Sequence, residues 1–176
     1  MNCNSWRPPL VKATPLPDAI EYAAVHASPV GWLGIRLDGH DRLRGLELLE
    51  QPPRRQPVAS AAAPVLAALE AYFAAPASAL NLPELAPLTT AFQQRLRQAL
   101  LAIPAGTVLT YAELAARLGS APRAVGQACR RNPIPVLVPC HRVVARTGIG
   151  GYAGATSGPR LAMKQWLLAH EGYPGA

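Results

Sequence analysis

An antiparallel sheet with a covering helix, followed by a mainly helical second half, is the architecture this chain predicts. Three observations carry it. Val30-Gly-Trp-Leu-Gly-Ile-Arg-Leu37 and Arg44-Gly-Leu-Glu-Leu-Leu49 flank the polar stretch Asp38-Gly-His-Asp-Arg42, the pattern of two strands joined by turn chemistry. Beyond residue 90, apolar residues recur at helical spacing between clear stop signals. Charge divides at the same place: residues 1–86 carry 7 Lys+Arg against 8 Asp+Glu, and residues 87–176 carry 10 against 2. The chain is therefore read as an N-terminal α/β domain with its linker over 1–86 and a helical domain over 87–176.

Residues 1–17 are polar and proline-rich and are expected to be irregular. Ala19–Ala27 suits a strand or a short helix, and both remain open. Gln51–Gln56, with two prolines and two arginines, reads as a loop; a helix follows, with Val65, Leu66, Leu69 and Phe73 on one face. The window Val58–Leu80 is the most apolar, but it is mostly alanine and contains Pro64 and Glu70. A charge at mid-membrane costs ~2.5–3.5 kcal/mol, so the window reads as a soluble amphipathic helix, with no membrane partner. Pro76–Pro87 reads as a linker.

The start, Met-Asn-Cys-Asn-Ser-Trp-Arg-Pro-Pro, lacks the apolar core of a signal peptide. Three cysteines, Cys3, Cys129 and Cys140, make no disulfide framework, so a reducing cytoplasm is the expected setting. Cys3 with His26 or His40 has no metal-ligand spacing, and neither a metal nor another cofactor is expected.

In the second half, Phe92, Leu96, Ala99, Leu100 and Ile103 form one apolar stripe, ended by Pro104-Ala-Gly106. Thr110-Tyr-Ala-Glu113 is a capping box for a helix over Tyr111–Leu118 that stops at Gly119. Ser120-Ala-Pro122 starts another helix, and Asn132-Pro133 stops it. Two short helices across a glycine turn, in a basic half, resemble a helix-turn-helix. A plain αα-hairpin is the alternative; the charge favours a polyanion, with nucleic acid the leading partner. Ala124 and Ala128 leave one face of the second helix nearly smooth, suited to close approach to DNA with little sequence preference, while Arg123, Arg130 and Arg131 can hold phosphates or enter the duplex.

Chemistry concentrates in Val136-Leu-Val-Pro-Cys-His-Arg-Val-Val144. The apolar run Ile134–Val138 suits a buried extended segment that turns at Pro139. A thiol there is either a packed core residue or a nucleophile favoured by its ionisable neighbours. The glycine-dense Gly148-Ile-Gly-Gly-Tyr-Ala-Gly154 is either a flexible connection or a pocket wall with Tyr152 as a flat face. The last helix, about Pro159–Glu171, places Met163, Trp166, Leu167 and His170 on one stripe. Glu171 opposes the helix dipole at its C-terminus, which points to a partner, with His141 the candidate.

Pro139-Cys-His-Arg-Val143, with Arg130-Arg-Asn-Pro-Ile-Pro135 before it and Gly151-Tyr-Ala-Gly154 after it, resembles the O6-alkylguanine-DNA alkyltransferases. The likeness extends to Phe92-Gln-Gln, Thr110-Tyr-Ala-Glu-Leu-Ala, Arg123-Ala-Val-Gly and Trp166-Leu-Leu-Ala-His-Glu-Gly172, dense over 88–172. The resemblance implies a ribonuclease H-like α/β part followed by a helical domain with a winged helix-turn-helix. It implies irreversible, stoichiometric transfer of an alkyl group from O6-alkylguanine, and from O4-alkylthymine, in double-stranded DNA to Cys140, by a monomer. His141 is then the base, acting through a water and oriented by Glu171; adjacent side chains seldom bond directly in an extended segment. Asn132 braces the cysteine turn, and Tyr111 donates toward the leaving guanine. Pro135, Val143, Tyr152 and Ala153 line the base pocket. Arg123 fills the gap left by the flipped nucleotide, on a DNA-facing helix that includes Ala124, Gly126, Ala128, Arg130 and Arg131. A thiol cannot reach an atom inside a stacked duplex, so flipping suits the chemistry.

Two departures stand out: Arg97 occupies a position where relatives often carry an aromatic residue, and Ala155–Ala162 is longer than in many members. Two rival readings explain less of the sequence. A cysteine hydrolase places its base far along the chain and leaves the basic half unexplained. A helix-turn-helix binder with a structural cysteine explains the charge and leaves Cys140, His141 and Glu171 without a joint purpose.

Overall fold

A computed structural model describes residues 22–49, 51–53, 57–76 and 81–175. Expectations about Cys3, residues 1–17, the start of Ala19–Ala27, the second half of the 51–56 loop and part of the 76–87 linker lie outside these residues. Two compact units are found, one within 2–86 and one within 87–176. Among the described residues, no helix is long and apolar enough to cross a membrane.

The first unit is an antiparallel sheet in the order β1 (Ala24–Ser28), β2 (Gly31–Leu37), β3 (Leu43–Leu49). Asp38 closes the β2–β3 turn: its carboxylate accepts from the amides of His40 and Arg42 and from the Arg42 guanidinium. Its pKa is held down to about 2, chiefly by the Arg42 side chain. Leu33, Ile35, Leu43 and Leu46 are core residues, and Tyr22 lies across Gly34, where a Cβ would sit 2.5 Å from the ring. The 84–86 stretch, expected as linker, pairs with β3: Leu43 donates to Glu84 O and Ala86 to Leu43 O. An exposed sheet edge leaves a row of unpaired backbone groups, and this segment satisfies two of them.

α1 (Ala63–Ala74) buries Val65, Ala68, Leu69 and Tyr72, while Leu66 and Phe73 are half-buried. The expected face is thus rotated: positions i, i+3, i+4 and i+7 point inward, and small Ala68 occupies a place that size-weighted reading passes over. Phe73 instead stacks on His26 of β1, centroids 6.2 Å apart.

The second unit begins with α2 (Ala91–Leu101), capped by Thr90, whose side chain accepts from Gln93 N. Leu96, Leu100 and Ile103 are buried; Phe92 and Ala99 are half-buried. α3 (Tyr111–Leu118) has its capping box complete, Thr110 and Glu113 exchanging bonds of 2.7 and 3.2 Å, and it ends on Gly119 at φ +60. α4 (Pro122–Arg130) follows after three residues, with Pro122 in its first turn, where the missing N–H costs nothing. α5 (Pro159–His170) closes the unit. Its buried face is Met163, Lys164, Leu167 and Leu168; Trp166 and His170 lie half-buried beside it and stack on each other, centroids 4.7 Å apart.

One expectation fails in an informative way. Ile134–Val138 is buried but is no extended strand. Pro133, Pro135 and Pro139 remove three backbone donors from seven residues, so a ladder cannot form. The remaining amides close local turns instead: Leu137 donates to Pro135 O, Val138 to Ile134 O and Cys140 to Val138 O. Val136 sits at φ +73, a conformation that costs a β-branched residue about 1–3 kcal/mol. The chain leaves through a 3-10 turn, Cys140–Arg142, into β5 (Val143–Val144), which pairs in parallel with β4 (Leu109–Thr110). Thr110 therefore caps α3 and also tethers the cysteine turn to it. Thr110→Ala should lower stability by ~1 kcal/mol, read as a reduced urea midpoint with an unchanged slope.

Candidate active site

Cys140 is 6 % exposed and forms part of the wall of a cavity of about 150 Å³. Asn132, just past the end of α4, holds it: Nδ2 donates to Cys140 Sγ (3.1 Å) and to Val138 O (2.8 Å), and Oδ1 accepts from Ile134 N. One amide thus braces the whole turn coil. Burial pushes the Cys140 thiol up; the Asn132 bond and the Lys164 charge oppose it. At rest the sulfur is a thiol, and a base is needed to make it a nucleophile.

His141 is fully buried, and its Nε2 lies 2.8 Å from Glu171 Oε1. The same carboxylate takes Arg142 in a two-pronged contact, Nε to Oε2 and Nη2 to Oε1, each 2.8 Å. Arg142 Nη1 also donates to Ile103 O. Burial raises the Glu171 pKa, but the hydrogen bonds from His141 and Arg142 outweigh it and bring the carboxyl to about 2. Glu171 is therefore an anion and an acceptor, so His141 carries its proton on Nε2. Burial pushes the imidazole down, against the pull of Glu171. A neutral imidazole held in one orientation is chemically able to accept a proton. Gly106 makes the packing possible: it sits at φ +73, and a Cβ there would fall 2.9 Å from Glu171 O.

The cavity's other walls come from three elements. Tyr111 supplies α3's contribution; Gly126, Cys129 and Arg130 come from α4; and Gly151–Thr156 forms the facing loop. Tyr152 and Ala155 exchange backbone bonds of 2.8 and 2.9 Å around Ala153 (φ +47) and Gly154 (φ +85), a tight turn with both central residues left-handed. Gly154 suits its left-handed backbone, where an L side chain would be strained, and the Arg130 side chain lies against it. Burial drives the Tyr111 phenol up to about 12 and Tyr152 well above its ordinary value, so both keep their protons at neutral pH.

Of the residues singled out from sequence, Cys140, Tyr111, Tyr152 and Ala153 meet at this cavity, with Asn132, His141 and Glu171 behind the thiol. Pro135 and Val143 do not line it, against expectation. Val143 is fully buried and committed to β5, and Pro135 sits within the turn coil, its carbonyl accepting from Leu137. On α4, Arg123, Ala124, Arg130 and Arg131 are exposed and Gly126 and Ala128 half-buried. Gly126 and Arg130 belong to the cavity wall as well as to the outer helix. Ala128 and Arg131 line a smaller recess with Arg97 and Asn132.

Known proteins match this chain in sequence and in fold. Residues 91–173 match the family model for the DNA-binding domain of 6-O-methylguanine DNA methyltransferase. A methylated-DNA–protein-cysteine methyltransferase of Salmonella typhimurium is 40% identical over 164 residues, covering 84% of this chain and 93% of that protein. The chain belongs to the methylated-DNA–protein-cysteine methyltransferase family. The Cricetulus griseus member is 38% identical, covering 88% of this chain and 83% of its own. The crystal structure of Mycobacterium tuberculosis O6-methylguanine methyltransferase superposes with a TM-score of 0.71 at 35% identity, covering 85% of this chain and 92% of that one. Mycobacterium tuberculosis OGT in complex with DNA gives 0.71 at 36% identity, with coverage of 86% and 94%.

Three residues of the site escaped sequence reading. Arg142 was visible as an arginine inside an apolar run, a position that demands a buried acid. Lys164 carried the same signal on the inner stripe of α5. Cys129 gave none; it looks like a small core residue, yet it lines the cavity with Cys140. Burial, above all, pushes its thiol up to about 12.

Glu171→Gln leaves Arg142 buried without its counter-charge, and at pH 7 it should cost on the order of 3–5 kcal/mol. A carboxyl depressed by folding stabilises above its unfolded pKa and loses that contribution as pH falls toward its folded value of about 2. The gap between wild type and variant in urea unfolding should therefore be full at pH 7 and narrow below the usual carboxylate range.

Proposed function

We propose that this protein repairs DNA directly by transferring an alkyl group from guanine O6 irreversibly to Cys140, and from thymine O4 in the same manner. Family membership and the buried Cys140–His141–Glu171 arrangement behind a cavity carry the reading. His141, with Nε2 held by Glu171, draws the thiol proton through a bridging water on Nδ1. The sulfur then attacks the alkyl carbon; the S–C bond forms as the C–O6 bond breaks. Tyr111, protonated at neutral pH, donates to the base as charge develops on it. Asn132 keeps the sulfur aimed throughout. The product is a thioether with no ready hydrolysis route, so each molecule acts once.

DNA reaches this site across α3 and α4, read as a winged helix-turn-helix, with the N-terminal sheet read as ribonuclease H-like. Arg123, Ala124, Arg130 and Arg131 are exposed along α4, and the basic charge of 87–176 favours phosphate contact. Gly126 and Ala128 keep the helix low against the backbone. Arg123 occupies the gap when the damaged nucleotide leaves the stack. Tyr152 and Ala153 flank the extruded base. The protein works as a monomer without a cofactor in a reducing cytoplasm, where Cys140 stays a thiol.

Incubation with duplex DNA containing O6-methylguanine should add one methyl group, mapped by mass spectrometry to Cys140, and stop at one equivalent. Turnover would favour a hydrolase, and binding without a covalent change a damage-binding protein. Cys140→Ser should abolish transfer while leaving duplex affinity within about twofold. Arg123→Ala should slow repair of duplex DNA far more than reaction with free O6-benzylguanine; equal loss on both substrates would place Arg123 in the pocket rather than in base extrusion.

A further inference from the structure

The loop wall of the cavity is built on one tight turn, Tyr152–Ala155, with Ala153 and Gly154 left-handed at its centre. Two features load that turn. Tyr152 is buried, yet its hydroxyl has no hydrogen-bond partner among the described residues, and an orphaned polar group is costly to bury. Ala153, at φ +47, carries a side chain where glycine is favoured. The turn therefore needs support from outside itself.

Arg160 supplies it. The residue stands in the first turn of α5, where a cation faces the positive end of the helix dipole. Its guanidinium reaches back seven residues, and Nη1 donates to Ala153 O at 2.8 Å. That bond ties the excursion Ala155–Gly158 into a closed loop. Within the loop, Ala155 O lies 2.8 Å from where a Gly151 Cβ would be, and the Thr156 methyl lies 3.6 Å from the same point. Ala155 and Thr156 both line the cavity. The excursion is thus folded over Gly151 as a rim. From α4, the Arg130 side chain lies against Gly154. The space left inside is small: about 150 Å³, below the ~300–1,000 Å³ of sites for drug-sized ligands. Such a space suits a small alkyl substituent on a flat base, whereas a benzyl group adds a whole phenyl ring.

We infer that Arg160 is a positioning residue that sets the substrate class: its bond to Ala153 O keeps the Tyr152–Thr156 rim closed on the cavity, so that small alkyl groups such as methyl are transferred in preference to bulky ones such as benzyl. The inference rests on the alkyl-transfer reading and narrows it. Arg160 touches no reacting atom. The step is the one already described: the S–C bond forms at Cys140, the C–O6 pair leaves with guanine, and the thiol proton passes to His141. Arg160 governs how far the wall yields to a larger group. The competing role for an exposed arginine in a basic unit is a phosphate contact, which acts on all lesions alike.

Single-turnover transfer is measured with one duplex sequence carrying either O6-methylguanine or O6-benzylguanine at the same position, so that DNA affinity cancels in the ratio of rates. Adducts are quantified on Cys140 by mass spectrometry for wild type and Arg160→Ala. Wild type should transfer methyl about tenfold faster than benzyl, or more, as pocket fit discriminates by such factors. Arg160→Ala should raise the benzyl-to-methyl ratio about five- to tenfold, the worth of one exposed charge-assisted hydrogen bond, with methyl transfer within about threefold of wild type. Affinity for undamaged duplex and its salt dependence should not change, because no phosphate contact is lost. Arg160 is exposed, so the variant should fold; Arg160→Gln, shorter and uncharged, replaces it if it does not, and the ratio is read in the same way. An unchanged or lowered ratio overturns the inference, as does equal slowing of both lesions, or a salt slope reduced by about one phosphate contact. Wild-type transfer of benzyl as fast as methyl overturns it too. If wild-type Cys140 gains no methyl group, the alkyl-transfer reading itself fails, and that is seen before any variant is compared.

Discussion

A single buried carboxylate organises the C-terminal unit. Glu171 accepts from His141 and from two nitrogens of Arg142, and Arg142 reaches on to Ile103 O. The end of α5, the cysteine turn and the segment after α2 are thereby joined through four atoms' worth of charge-assisted bonds. Burying an anion is costly unless its lone pairs are satisfied, and here they are. The same contact sets the chemistry, because an anionic Glu171 fixes which imidazole nitrogen carries the proton. Gly106 follows from it too, since no side chain fits where its Cα meets the Glu171 backbone.

Around that anchor the backbone is unusually irregular for a buried segment. Three prolines deny the 133–139 stretch a sheet, Val136 is held left-handed, and Asn132 supplies from its side chain the bonds that a ladder would have given. The turn coil presents a sulfur at a cavity wall instead of hiding it between strands. Burial keeps that sulfur protonated, and a thiol is less open to electrophiles than a thiolate.

Two buried cations flank the thiol segment, and they solve the same problem differently. Arg142 meets a carboxylate with a planar fork, so its charge is neutralised within the cluster. Lys164 meets only carbonyl dipoles among its hydrogen bonds, so its charge remains to be felt at Cys140 and Cys129. The α4 arginines Arg123, Arg130 and Arg131 are by contrast exposed.

Much was legible in one dimension because the signals were local. The Thr110–Glu113 capping box, the Gly119 stop, Pro122 at a helix start and the β2–β3 turn each depend on residues within four positions, and sterics and hydrogen bonding leave little choice there. The pairing of Glu171 with His141 could also be anticipated, from an acid at the wrong end of a helix dipole. Other features were set by packing between segments far apart in the chain. α1 turned a face that includes Ala68 and Tyr72 inward, because fit against neighbours counts for more than side-chain size. Pro135 and Val143 left the cavity, since one was taken by the turn coil and the other by a parallel pair with β4. Cys129, Arg142 and Lys164 acquired their places from contacts 15 or more residues away or from a shared cavity. From residue types alone the thiol was open between core residue and nucleophile, and the motif resemblance pointed to the nucleophile and the family; long-range burial, which no local rule encodes, chose the residues that surround it.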